Sequence, residues 1–398
     1  MKNTNLNMLN NIKKLYEVQL LNGELEFWLK YGMDPINGGI YTALDEDGSL
    51  LDTDKSVWFQ GRALWTFCTA YEKYKDPRYL KAAESLIHFI EDYCFDKADG
   101  RMYFRVSEDG QPVIKRIRYL FSETFTIIGF ATFYRITKKD EYKDKALKLL
   151  EFVEYLRTTP GILVPKSMRK SRSFGEPMIL LNVLSELRTS IPEKTNWLND
   201  YMDKLLNEVQ TYFVKDDLQL VLELCNMDGT VQKDHMEGRL LNPGHAIEGA
   251  WFIMNEGVNR GKKDYIDLGL KILNWEWDLG WDEPYGGIIQ YRDAFNLSIS
   301  EYHQDMKFWW PQCEATIAQL YAYYLTKDES HLHKFLKVND YIQTRFVDNK
   351  NGEWYGYFHR DGTLSTKVKG NMYKGPFHIP RMYMKCIDLI DKIIDTRN

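Results

Sequence analysis

An all-α fold, an (α/α)6 barrel built as a double ring of six helix pairs with short β-hairpins between pairs at one end, is what this sequence predicts. Three observations carry the prediction. A glycine-turn segment with hairpin character recurs six times. Two helix-length apolar patterns fill the interval from one such segment to the next. The first helix of each pair is also poorer in charge than the second, which places it inside the ring. Self-similarity on this scale is the mark of a repeat architecture.

The recurring segments are "DPINGGIYTALDEDGSLLDTDK" at 34–55, "DKADGRMYFRVSEDGQPV" at 96–113 and "TPGILVPKSM" at 159–168. They continue as "DDLQLVLELCNMDGTVQKD" at 216–234, "DEPYGGIIQYRDAF" at 282–295 and "DNKNGEWYGYFHRDGTLSTK" at 348–367. Most hold a glycine turn followed by a short alternating run, and several close on Asp-Gly, the chemistry of a β-hairpin. After the first, Val57, Gly61, Leu64, Trp65, Cys68 and Tyr71 fall on one helical stripe, and Leu80, Ala83, Leu86, Ile87 and Ile90 form a second. Residues 119–136 and 140–156 repeat that order. A sixth repeat at the C-terminus lets the ring close, and no Pro/Ser-rich linker divides the chain, so residues 1–398 are expected to form one catalytic domain.

Composition narrows the function. Hydrophobic residues make up 44% of the chain, enough for a large core. The net charge of −5 comes from interspersed charges, which argues against nucleic acid as a partner, since phosphate binding needs a concentrated basic footprint. No run of 18 uncharged apolar residues suggests a membrane span. The opening "MKNTNLNMLNNIKKLYEVQLL" has no apolar core or cleavage site of a signal peptide. Cys68, Cys94, Cys225, Cys313 and Cys386 are scattered and mostly inside apolar patterns, as for reduced residues of a cytoplasmic protein. Aromatic residues reach 14% and crowd beside polar turns, which suits stacking against a sugar ring.

Ionisable residues recur near the start of the expected inner helices: Arg62, Glu123, Glu176, His245 with Glu248, Glu314 and His378. Their successive spacings are 61, 53, 69, 69 and 64 residues, one site per repeat, which sets them around one mouth of the barrel. His245 and Glu248, three apart after the Asn-Pro-Gly turn of "LLNPGHAIE", share a helix face. Two imidazoles can take and return protons near neutral pH, and on opposite walls they address both faces of one carbon. An arginine such as Arg62 can hold negative charge developing on a carbonyl oxygen. His245, His378, Arg62, Glu314 and Glu248 are therefore the candidate catalytic set, and Glu123, Glu176, Asn242, Trp309 and Trp310 the candidate substrate-binding set. No metal site is expected: the histidines of "HLH" at 331–333 lie on different faces of a helix. Gly261-Lys262 lacks the spacing of a phosphate-binding loop, and there is no Cys-x-x-Cys, Gly-x-Ser-x-Gly or His-Glu-x-x-His.

The stretches "DTDKSVWFQGRALW", "GRLLNPGHAIEGAWF", "KFWWPQCEATIA" and "GPFHIPR" together resemble the N-acylglucosamine 2-epimerase family, whose mammalian members are also known as renin-binding proteins. The likeness runs from about Glu26 to Met384. It implies an (α/α)6 barrel and interconversion of N-acetylglucosamine and N-acetylmannosamine at C2. By motif, His245 and His378 match the proton-transfer histidines, Arg62 and Glu314 match residues required for activity, and Glu248 matches the glutamate after the first histidine. The resemblance further implies a homodimer and ATP as an activator, with neither NAD nor a catalytic metal needed. Related epimerases act on cellobiose or mannose and related isomerases convert aldoses to ketoses, so those substrates remain alternatives. A glycoside hydrolase, with paired carboxylates in a helical double ring, and a non-catalytic sugar-binding or protein-binding regulator are the readings from other classes.

Overall fold

Tight turns reverse the chain within each helix pair, and longer hairpins carry it to the next pair. The computed structural model describes residues 2–116, 120–162 and 169–396; residues 163–168 of the third expected hairpin lie outside them. The chain passes through α1 (Lys2–Val18, prolonged to Gly32 mainly by π-helical turns), α2 (Val57–Tyr74), α3 (Pro77–Tyr93), α4 (Phe121–Thr137) and α5 (Asp140–Thr158). It continues through α6 (Gly175–Ser190), α7 (Thr195–Glu208), the single turn α8 (Met236–Arg239), α9 (Pro243–Arg260) and α10 (Lys263–Gly280). It ends with α11 (Trp309–Thr326), α12 (Glu329–Arg345) and α13 (His378–Asp395). Helices α2, α4, α6, α9, α11 and α13 make the inner ring of an (α/α)6 barrel, and α1, α3, α5, α7, α10 and α12 surround it.

The outer partner of the last inner helix comes from the other end of the chain. Tyr16 on α1 donates to Asn339 on α12 at 2.7 Å, and Lys13 on α1 bonds Asp391 on α13 at 2.5 Å. The far end of α1 reaches α3, where Glu26 pairs with Arg78 at 2.8 Å. The inner ring closes where Trp65 of α2 packs on Phe377, 5.3 Å between centroids, and Lys73 pairs with Asp388 of α13.

Turn chemistry explains the reversals. Inner helices α2, α4, α9 and α11 end on Lys75, Lys138, Gly261 and Lys327, all left-handed with φ of 59°, 60°, 63° and 61°. At two of these turns the next residue, Asp76 or Asp328, caps the following outer helix by accepting a main-chain N–H at 2.9 Å. A lysine in that conformation costs about 1–2 kcal/mol, a strain that tertiary packing of both helices outweighs. Where α2 crosses α4, Gly61 is required: a Cβ there would lie 2.7 Å from the carbonyl carbon of Phe125.

The hairpins do more than connect. The two residues leading into an inner helix pair antiparallel with a strand of the next hairpin: Lys55–Ser56 with Arg105–Val106, Arg172–Ser173 with Leu224–Cys225, Leu240–Leu241 with Arg292–Asp293, and Lys307–Phe308 with Tyr357–Phe358. The Leu44–Gly370 bridge closes this stitching between the last and first hairpins. Buried lysines lock three of the turns: Lys55 bonds Asp34 at 2.7 Å, Lys307 bonds Asp282 at 2.8 Å and Lys369 bonds Asp348 at 2.9 Å. Gln60 and Gln312 each clasp the main chain of a hairpin residue, Ile40 and Ile288, with bonds of 2.8–2.9 Å. The mouth of the barrel is thus a rigid rim, and it fixes where each inner helix begins. No helix among the described residues is long and apolar enough to cross a membrane.

Candidate active site

The first two turns of the inner helices converge on a cluster of charge inside this rim. On α9 the turn chemistry is explicit. Asn242 caps the helix, its Oδ1 accepting the His245 N–H at 3.2 Å, and Pro243 supplies the pre-set φ of the first turn. His245 is held through Nδ1, which lies 3.1 Å from both carboxylate oxygens of Glu223 and 3.2 Å from the Asn242 amide nitrogen. A carboxylate facing Nδ1 calls for the proton on that nitrogen, so the partners assign Nε2 as the nitrogen for proton exchange.

His378 opens α13 and is held the same way. Its Nδ1 lies 2.8 Å from Glu314 Oε1, and the whole side chain is buried. Glu314, on α11, is fully enclosed: Oε1 also accepts from Arg381 at 2.7 Å, and Oε2 accepts the Trp251 indole N–H at 2.8 Å. Arg381, one turn beyond His378, bonds Glu248 as well and comes within 3.3 Å of His378 Nδ1. Burial, then the positive charges of Arg381 and Arg62, hold the His378 imidazole well below its ordinary value, so it is neutral at pH 7.

Between the two imidazoles stands Trp310, its ring 5.0 Å from His245 and 6.0 Å from His378. Arg62 lies over the Phe125 ring at 3.9 Å and over Phe377, the residue before His378, at 5.1 Å. Desolvation among these rings pulls Arg62 down to about 9, still a cation at neutral pH. Its Nε, with Nε and Nη1 of Arg381, has no acceptor among the described residues, which leaves donors for an anionic oxygen. Ligand atoms of Glu248, Glu314 and His378 lie within 4.8 Å of one another, a spacing a metal ion could use. Here the Arg381 guanidinium bonds both carboxylates and supplies the cation.

The structure brings His245, Glu248, Trp310, Glu314 and His378 together, with Arg62 at their edge. Four of the other expected residues do different work. Glu123 accepts from Arg101 at 2.7 Å and from the Met102 N–H at 3.1 Å, so this buried carboxylate anchors a hairpin as Gln60 and Gln312 do. Glu176 faces Arg157 of outer helix α5 at 3.6 Å, and burial raises its carboxyl; it too is assigned to an ion pair rather than to the cluster. Asn242 serves as helix cap and imidazole neighbour. Trp309 is buried behind the site, 6.4 Å from His378 by ring centroids.

Three residues of the cluster escaped the sequence reading. Arg381 stands three residues after His378, the same spacing that flagged Glu248 after His245, and could have been found by that rule. Glu223 is the one acid in the apolar run "LVLELC", and its isolation was the available signal. Trp251 lay in a helix pattern with nothing to distinguish it from core.

Residues 38–377 match the family model described as N-acylglucosamine 2-epimerase (GlcNAc 2-epimerase). The chain belongs to the N-acylglucosamine 2-epimerase family. It is 33% identical to the N-acylglucosamine 2-epimerase of Bos taurus over 92% of this chain and 89% of that one. Identity to the cellobiose 2-epimerase of Bacteroides fragilis is 23%, over 95% of this chain and 98% of that protein. The solved structure of cellobiose 2-epimerase from Bacillus thermoamylovorans superposes with a TM-score of 0.84 at 22% identity, covering 95% and 99% of the two chains. At that identity the likeness establishes the shared barrel. Family membership makes the chain a sugar epimerase, an isomerase rather than a hydrolase.

Proposed function

We propose that this epimerase interconverts N-acetylglucosamine and N-acetylmannosamine through proton transfer by His245 and His378. The observation that carries the mechanism is the paired construction of the two imidazoles. Each has Nδ1 against a carboxylate, at 3.1 Å for Glu223 and 2.8 Å for Glu314, and they stand on α9 and α13 with Trp310 of α11 between them. Nε2 is then the exchanging nitrogen on both, as a reaction at two faces of one carbon requires.

In the proposed cycle the pyranose opens and exposes the C1 aldehyde. The neutral imidazole of one histidine removes the C2 proton, and the C2–H electron pair moves to form an enediolate-like enolate whose negative charge rests on the C1 oxygen. Arg62 and neighbouring donors hold that oxygen. The other histidine, as imidazolium, delivers a proton to the opposite face of C2, and the carbonyl is restored. The acceptor keeps one proton and the donor has lost one, so the pair resets by exchange with solvent or by the reverse turnover. Trp310 offers a flat apolar wall for the sugar, and Glu248 and Glu314 orient the Arg381–His378 unit.

Preference for the N-acetyl sugars is supported by the higher identity to the bovine protein, 33%, than to the cellobiose enzyme, 23%. We extend the proposal to a cytoplasmic homodimer with ATP as a non-consumed effector. Five buried free cysteines suit a reducing compartment. Light scattering tests the dimer, and a nucleotide-dependent rise in Tm without ADP release tests the effector. The central test is proton NMR of N-acetylmannosamine with the protein in deuterated water. The C2 proton signal should vanish as N-acetylglucosamine deuterated at C2 appears; binding without exchange would leave a sugar-binding regulator as the reading.

A further inference from the structure

We infer that Glu223 is the positioning residue of His245: its carboxylate fixes a proton on Nδ1, orients the ring, and stores on this imidazole the single proton that the histidine pair carries between turnovers. His245 is therefore the acid, and His378 the base, toward the epimer whose C2–H faces His378; toward the other epimer the proton must first pass to His378. The inference rests on the two-histidine reading above and assigns unequal starting roles within it.

Geometry sets the two histidines apart. Both oxygens of Glu223 lie 3.1 Å from His245 Nδ1, and no ion pair to a guanidinium of the described residues divides this carboxylate. Glu314, the partner of His378, is shared with Arg381 at 2.7 Å and with the Trp251 indole at 2.8 Å, so its charge is largely spent before it reaches the imidazole. An undivided carboxylate stabilises an imidazolium, whereas a carboxylate already paired with a guanidinium does not. Exposure runs the same way: the His245 side chain is 28% exposed and that of His378 is 8% exposed.

The surrounding charge is consistent with one stored proton. Facing the pair are Glu223 from the hairpin, Glu248 on α9 and Glu314 on α11, against Arg62 on α2 and Arg381 on α13. Among the described residues, three carboxylates face two guanidinium groups, which leaves room for one imidazolium. Glu276 on α10, behind Glu223, accepts the Val221 N–H at 2.8 Å, and burial with the nearby Glu223 charge pushes it up to about 8. It is largely neutral at pH 7 and leaves Glu223 as the carboxylate acting on His245.

Glu223 is itself fixed by the rim. Its carbonyl accepts the Phe174 N–H at 3.0 Å, and the adjoining residues pair with Arg172–Ser173 at the entry to α6. The carboxylate is therefore delivered by a hairpin bend that belongs to neither histidine helix.

The test is the pH profile of kcat/KM for Glu223→Gln and Glu223→Asp, with Glu276→Gln as control. The basic limb, where the stored proton leaves His245, should move down by about one pH unit or more in Glu223→Gln. It should return in Glu223→Asp and persist in Glu276→Gln. Because the equilibrium constant ties kcat/KM of the two epimers together, the limb must move equally in both directions. Carbon-13 labelling of histidine Cε1 gives a second readout that needs no turnover: the His245 titration should fall in Glu223→Gln while that of His378 holds. An unmoved limb and an unmoved His245 titration would overturn the role of Glu223 while leaving the two histidines in place. Turnover that survives loss of either histidine would instead overturn the reading on which it rests.

Discussion

Arg381→Met is the most demanding perturbation of this site. The guanidinium is buried and serves two buried carboxylates, Glu314 at 2.7 Å and Glu248, whose side chains are 0% and 6% exposed. Methionine keeps much of the volume that lies over Phe377 at 4.6 Å and Trp251 at 5.3 Å, so packing alone should cost little. Removing one partner of a buried ion pair costs about 3–5 kcal/mol, because the remaining charge is stranded. A second effect follows for His378. Burial, Arg381 and Arg62 hold its imidazole well below 6.5, so as pH falls through 6.5 the unfolded chain takes up a proton that the folded chain refuses. Stability from this group is complete above about pH 6.5 and falls below it by up to ~1.4 kcal/mol per pH unit until the folded imidazole also protonates. Without Arg381 the imidazole faces Glu314 alone, its folded value rises, and this acid slope should weaken. Urea unfolding followed by tryptophan fluorescence at pH 7.5 and 5.5 reads both effects. A loss below about 1 kcal/mol at pH 7.5, or an acid slope equal to the parent's, would refute the counter-ion role of Arg381.

Other outcomes follow from the same geometry. His245→Ala and His378→Ala should each abolish epimerisation while circular dichroism and sugar binding persist; near-normal turnover in either would refute the two-base assignment. Gly61→Ala should destabilise by about 1–3 kcal/mol, since its Cβ would meet the Phe125 main chain, and an unchanged urea midpoint would show that α2 and α4 can separate. Lys327→Gly should stabilise by up to about 1 kcal/mol by relieving a left-handed lysine, read as a higher Tm. In competition, kcat/KM should favour N-acetylmannosamine and N-acetylglucosamine over mannose, glucose and cellobiose; a site paired to the acetamido group loses roughly 1–3 kcal/mol per unsatisfied group with a plain sugar. Faster turnover of cellobiose or mannose would refute that substrate assignment.

What was legible in the sequence, and what was not, divides along physical lines. The hairpin repeats and the helix pairs are local patterns, set by glycine turns and by 3.6-residue periodicity, so they could be read from the chain. Placement of Arg62, Glu248 and Glu314 in one ring followed from their equal depth, each the sixth residue of its inner helix. The outer partner of α13 could not be read so directly, because α1 and α13 lie at opposite ends of the chain and nothing local joins them. Glu123 misled for a related reason. It occupies the right end of an inner helix, but its carboxylate turns to the hairpin at Arg101 and Met102. Helix position fixes depth along the barrel; the direction of a side chain is fixed by what the neighbouring hairpin leaves unpaired. Glu223 is the same lesson reversed. It sits in the bend between two short strands, outside every inner helix, and reaches His245 because residues 224–225 pair with 172–173 at the entry to a third helix. A chemistry that depends on which imidazole holds the proton is thus set by strand pairing between repeats, a contact with no signature in the spacing of the residues that make it.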